Sequence, residues 1–143
     1  MATTTASVAI SSSDLQVGNT LSINASSTLM QSGLTTGLEI MDMGKSELAT
    51  GDSSKALHEG GVAAADRDQA CWVYLCNNAT DDTFYILVTI NTTTVGRLYA
   101  GDWMWMPYAQ GDNAAELNLE AEGGTCPYEY AIFSTAKTLL DAS

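Results

Sequence analysis

The chain is poor in positive charge. Five Lys and Arg stand against 17 Asp and Glu in 143 residues, a formal net charge of −12. Nucleic-acid binding needs basic side chains that displace counterions from phosphates. Lys45, Lys55, Arg67, Arg97 and Lys137 are too few and too scattered for that. An anionic membrane surface would repel the chain for the same reason. Long apolar runs are missing too, and none reaches the length of a membrane span. The opening Met1-Ala2-Thr3-Thr4-Thr5 has neither the basic region nor the apolar core of a signal peptide, so the sequons at Asn24, Asn78 and Asn91 are expected to be incidental.

Residues that carry chemistry are equally sparse. Histidine occurs once, His58, beside Glu59 in a charged stretch, which reads as an exposed loop side chain and not as part of a catalytic triad. The three cysteines, Cys71, Cys76 and Cys126, are odd in number and lack metal-ligand spacing. Cys71 and Cys76 are five apart in one expected strand, so they point to opposite faces and do not readily pair. Cys126 can pair with either across strands, although free buried thiols are the simpler reading. Gly33 and Gly37 have no strand and helix around them to make a phosphate loop. Asp81-Asp82 lacks the glutamate and glycine of a calcium loop and reads as a solvated turn. Glu116, Glu120 and Glu122 are the available carboxylates for glycoside hydrolysis. They fall on the outer face of one strand, where like charges keep a sheet from aggregating. The chain therefore reads as a non-enzyme with no cofactor and no metal.

What is present is strand sequence, in a chain 45% hydrophobic. Residues 1–38 are rich in Ser and Thr and hold one charge, Asp14. Within them Leu15, Val17, Leu21 and Ile23 form an apolar odd-numbered set around Gly18-Asn19, which predicts two short strands around a turn or one bulged strand. This arm is expected to add to a sheet, in its own subunit or a neighbour's. Residues 39–69 concentrate mixed charge with weak periodicity. They read as a long loop excursion with a short helical turn near Ser53–His58 and a role in subunit contact.

Residues 70–134 are the expected antiparallel core. Cys71, Val73 and Leu75 alternate with Trp72, Tyr74 and Cys76 in a strand apolar on both faces, hence central, with Trp72 in the core. Phe84 to Ile90 is rich in β-branched and aromatic residues and is expected to pair with the preceding strand as a hairpin. Val95 to Ala100, Trp103 to Pro107, Ala115 to Ala121 and Tyr128 to Phe133 follow, and residues 135–143 form a polar tail. Short, evenly spaced strands with polar turns predict an all-β antiparallel sandwich or barrel, and a jelly-roll-like β-sandwich is the fold expected. The Trp103, Trp105 and Tyr108 cluster is the strongest candidate for recognition, because Trp and Tyr both stack on sugars and anchor protein interfaces. Trp103 and Trp105 share one strand face and Met104 and Met106 the other. Either one face is core and one an interface, or both are core.

The second half resembles a small β-sandwich of structural proteins from tailed, cyanophage-like bacteriophages. The residues that carry this are Trp72-Val73-Tyr74-Leu75 followed by Asn77, Tyr85 to Ile90, Gly96-Arg97-Leu98-Tyr99-Ala100-Gly101-Asp102-Trp103 leading to Pro107, and Tyr128-Glu129-Tyr130-Ala131-Ile132-Phe133. They cover less than half of the chain. The resemblance implies a virion structural role with no catalytic residues. It points to a capsid decoration (cement) protein on the head exterior, made in the host cytoplasm, or else to a neck, tail or fibre module or a glycan-binding sandwich. The implied partners are the major capsid protein and further copies of the chain, most simply as a trimer. Interface residues are expected in Trp103, Trp105 and Tyr108 and in Leu15, Val17, Leu21 and Ile23.

Overall fold

Strand formation follows the apolar alternation wherever a strand has one buried face. The computed structural model describes residues 4–16, 19–29, 38–52, 54–57, 71–108 and 117–134, and all regular structure among them is β-strand. The chain divides into two compact units, Met1–Leu38 and Glu39–Ser143.

The first unit is a long hairpin of β1 (Thr4–Gln16) and β2 (Asn19–Leu29). The two strands pair in register from Thr4↔Leu29 to Ser12↔Leu21, with an irregularity before Gln16↔Asn19. The arm was expected to add to a sheet, in its own subunit or a neighbour's. Among the described residues of this chain it pairs only with itself, as a two-stranded sheet whose outer ladder edges are not taken by another strand of the chain.

The second unit holds β3 (Glu39–Leu48), β4 (Lys55–Ala56), β5 (Cys71–Asn77), β6 (Tyr85–Ile90), β7 (Thr93–Tyr99), β8 (Trp103–Tyr108), β9 (Leu117–Glu122) and β10 (Cys126–Ser134). These pair as one long ribbon folded at its middle: β6 with β7, β5 with β8, β4 with β9, and β3 with β10. The fold point is the tip between Ile90 and Thr93, where Asn91 takes a positive φ of 56° that asparagine tolerates well. Wrapping the ribbon sets β10 beside β5 and β9 beside β6. The result is two four-stranded antiparallel sheets, β3-β10-β5-β8 and β4-β9-β6-β7. That connectivity is the jelly roll.

The sheets pack face to face over an aliphatic core. Val73 and Leu75 of β5 and Ile132 of β10 meet Ile86 and Val88 of β6 and Leu117, Leu119 and Ala121 of β9. Each of these larger aliphatic side chains contributes about 1.5–3 kcal/mol by leaving water.

Three expectations are corrected here. β5 and β6 do not form a hairpin, because both ladder edges of β5 are taken by β10 and β8; residues 78–84 carry the chain across to the other sheet. The first part of the presumed loop at residues 39–69 is β3, an edge strand of ten residues. Its inward alternation is hidden at Gly44, which lies opposite Tyr130 and under the Tyr130 ring. The helical turn expected near Ser53–His58 is replaced by β4, whose pairing with β9 continues in the hydrogen bond from Leu57 N–H to the Leu117 carbonyl. Ser53 and His58 themselves, and residues 59–70, 109–116 and 135–143, lie outside the described residues.

One end of the sandwich is closed by short crossings between the sheets, and Asn77 ties them together. Its side chain is fully buried. Nδ2 donates to the Leu98 carbonyl at 2.9 Å and Oδ1 accepts from Ala79 N–H at 2.9 Å. Its backbone N–H donates to the Asp102 carbonyl, and its carbonyl accepts from Gly101 N–H. A single residue at the end of β5 thus fixes the crossing to β6, the end of β7 and the turn into β8.

Candidate docking surface

In β5 the residues pointing away from the core are Trp72, Tyr74 and Cys76, since Val73, Leu75 and Asn77 are buried. Ladder register extends this outer face across the sheet. Trp72 lies opposite Pro107 and Phe133, Tyr74 opposite Trp105 and Ala131, and Cys76 opposite Trp103 and Glu129. On the edge strand Met43 sits opposite Ala131 and Lys45 opposite Glu129. All three tryptophans of the chain therefore stand on the outer face of one sheet.

The aromatic side chains are organised. Trp72 and Trp105 stack with centroids 5.2 Å apart and planes 13° apart, and Phe133 meets Trp105 edge-on at 5.4 Å. Trp103 and Met43 are 53% and 64% exposed, which is far more than either would be in a core. The outer face of the other sheet differs. There Glu122 lies opposite Tyr85, Glu120 and Arg97 flank Leu87, and Arg97 sits over the Tyr85 ring. Tyr85 and Tyr99 pair there as well, 5.2 Å apart, but among the described residues the tryptophans stand on the first sheet alone.

The charge on that surface is neutralised locally. The Tyr74 hydroxyl donates to Glu129 Oε1 at 3.1 Å, and Lys45 Nζ lies 3.3 Å from Glu129 Oε2. The Tyr74 hydrogen bond, followed by Lys45, holds the Glu129 carboxyl below its usual range. Burial, followed by hydrogen bonding with Cys76 and Glu129, pushes the Tyr74 phenol from its ordinary 10.0 up to about 12. The folded state thus favours the neutral phenol. This stabilisation is complete below the unfolded value and is lost as pH rises through the folded one. We expect the ionisation missing from Tyr74→Phe to fall near pH 12. A tyrosine-absorbance pH jump, read before alkaline unfolding, measures it, and finding that ionisation at the ordinary 10.0 would contradict the hydrogen bond from Tyr74 to Glu129.

All but one of the interface residues expected from sequence can now be placed. Trp103 and Trp105 lie on the aromatic face. Tyr108 does not: it shares its parity with Met104 and Met106, is buried in the core, and its hydroxyl accepts from Leu117 N–H at 3.2 Å. Trp72, expected in the core, stands on the outer face instead, half-buried by its stack with Trp105. Leu15 lies in β1, and Leu21 and Ile23 lie in β2; Val17 is outside the described residues. Tyr74, Phe133 and Met43 belong to the outer face and were not singled out from sequence. The turn reading of Asp81 fits its local bonds, with Oδ1 accepting from both the N–H and the hydroxyl of Thr83, which lower its carboxyl pKa. Cys76 and Cys126 are free thiols. Burial raises the Cys126 pKa, as suits an inert core thiol. Comparison with family models, curated proteins and solved structures finds no match to this chain.

Proposed function

We propose that the chain is a virion structural protein, a capsid decoration (cement) protein of a tailed phage. It binds the outer shell through the aromatic face of the β3-β10-β5-β8 sheet and has no catalytic site and no cofactor. The observation that carries a docking role is the gathering of Trp72, Trp103 and Trp105 on the outside of one sheet. A chain of formal charge −12 gains nothing in solubility from such a surface, and buried aromatic clusters are what anchor protein interfaces. The assignment to a phage head rests on the resemblance carried by residues 72–133. Jelly-roll sandwiches recur in viral capsid domains, and the acidity suits a protein held outside the shell, away from packaged DNA. The major capsid protein is the partner this reading implies.

The test is reconstitution. Heads assembled without this chain should bind the purified protein and melt at a higher temperature with it. Absence of binding would overturn the proposal.

A second reading, glycan binding, is favoured by one observation: Trp103 is open enough for a sugar ring to stack on it. Trp72 and Trp105 fit that use less well, since each turns one ring face to the other. Glycan binding that disappears in Trp103→Ala, without head binding, would select this reading.

A further inference from the structure

We propose that the open edge of β8 takes up an extended, basic segment of the shell protein as a fifth strand of the β3-β10-β5-β8 sheet. The proposal deepens the capsid reading and rests on it for the partner.

Strand β8 borders that sheet, and among the described residues only β5 pairs with it. The phase of the ladder is fixed at its start, where Asn77 N–H donates to the Asp102 carbonyl. In an antiparallel pair, opposite residues that exchange hydrogen bonds alternate with opposite residues that do not. The pairing runs without a register shift from Cys76↔Trp103 to Cys71↔Tyr108, so Met104 bonds to Leu75 and Met106 to Val73. Trp103, Trp105 and Pro107 fall on the alternate positions. Their carbonyls, and the N–H groups of Trp103 and Trp105, therefore point away from β5. Pro107 obeys the same phase, because a proline fits an edge strand where no ladder donor is needed.

The other edges of the sandwich are guarded. Charge, bulges, proline and shortness are the usual devices that keep an edge from pairing. β3 carries exposed Lys45 and Glu47, and its ladder shifts register between Ile132 and Phe133. β7 carries exposed Arg97, and its ladder shifts between Val88 and Thr89. β4 is two residues long. β8, Trp-Met-Trp-Met-Pro-Tyr, has neither a charge nor a shift. Its one guard is Pro107, which leaves Trp103 to Met106 as a template for strand addition.

The same edge dictates what fits. Side chains of an added strand that lie opposite Trp103 and Trp105 stand on the outer face, continuous with the stacked rings. The alternate ones lie beside Met104 and Met106, both half-buried, so the occupant is apolar there. Trp103 offers an exposed ring that a Lys or Arg can cover, and exposed Asp102 stands at the head of the strand. With a formal net charge of −12, the molecule attracts a basic segment and repels a second copy of itself.

The experiment is amide hydrogen exchange, resolved to single residues by mass spectrometry, on the full chain free and bound to heads assembled without it. In the free protein Met104 and Met106 should exchange slowly and Trp103 and Trp105 fast. On heads, Trp103 and Trp105 should slow at least about tenfold. A paired variant tests the donor itself. Trp103→Pro lacks both the indole and the outward N–H, whereas Trp103→Ala lacks only the indole. Trp103→Pro should bind heads about 2- to 12-fold more weakly than Trp103→Ala, the value of one hydrogen bond. The wild-type exchange result decides the matter even where the proline variant fails to fold. Slow Trp103 and Trp105 amides in the free protein would overturn the proposal: independent of concentration, they would mean that the chain covers its own edge, and dependent on it, that a second copy does. Heads that bind without slowing these amides would overturn it too, while leaving the capsid reading intact. No binding to heads at all would remove both.

Discussion

Asn77→Ala should lower the melting temperature of the sandwich by roughly 12–24 °C, from about 3 kcal/mol of lost stability at about 4–8 °C per kcal/mol in a domain of this size. The side chain is fully buried and bridges the Leu98 carbonyl and Ala79 N–H. Removing it strands both groups, and each unsatisfied buried polar group costs about 1–3 kcal/mol. Asn77→Leu separates this effect from lost volume: it restores packing but no hydrogen bonds, so it should be nearly as damaging. Asn77→Asp should be worse than either, since it offers no donor to Leu98 and places a carboxylate against that carbonyl in a dry site. Thermal melts followed by tryptophan fluorescence give all three values. A loss in Asn77→Leu below about 0.5 kcal/mol would mean that the Asn77 hydrogen bonds do not hold the crossings together.

Much of the fold could be read from residues with one buried face. Val73 and Leu75, Ile86 and Val88, and Leu117, Leu119 and Ala121 alternate as the strand period requires, and all are buried. Sheet membership could not be read in this way. Whether β5 pairs with β6 depends on which of its edges are already taken, and β10 and β8, more than twenty residues away, take them. β3 was hidden for a different reason. Its inward position 44 is a glycine, and the volume a side chain would fill there is supplied by Tyr130 from the neighbouring strand. At that position the missing apolar residue in one strand is the imprint of a large residue in another; Ser46, opposite Tyr128, weakens the alternation further.

The candidate surface shows the same division. Trp72 could not be assigned to a face from its own strand, because Trp72, Tyr74 and Cys76 are as apolar as the set that alternates with them. Its stacking partner Trp105 comes from a different strand, and only the ladder register brings the two together. Tyr108 is different. Strand alternation alone separates it from Trp103 and Trp105 and groups it with Met104 and Met106, so its place in the core was available from the sequence once the strand was taken to run to residue 108.

The stacked and the open tryptophan should respond differently to truncation, and the difference tests the docking surface. Trp105→Ala removes the stack on Trp72 and the edge contact with Phe133 together. Each aromatic pair is worth about 0.5–1.5 kcal/mol beyond its buried area, so the sandwich should lose about 2–4 kcal/mol of stability. Head binding should fall as well, because Trp72 and Phe133 lose the ring that orients them. Trp103 is 53% exposed, so Trp103→Ala should cost less than about 1 kcal/mol of stability. If the aromatic face docks on the shell, however, Trp103→Ala should weaken binding about 30- to 150-fold, the range of an interface hot spot worth about 2–3 kcal/mol. Tyr108→Phe supplies the opposite case: it leaves Leu117 N–H without the hydroxyl that accepts from it, so it should lower stability and leave affinity unchanged. Binding titrations on heads paired with melts of the free protein separate the three variants. Wild-type affinity in Trp103→Ala would remove the aromatic face from the interface, however much Trp105→Ala destabilised the fold.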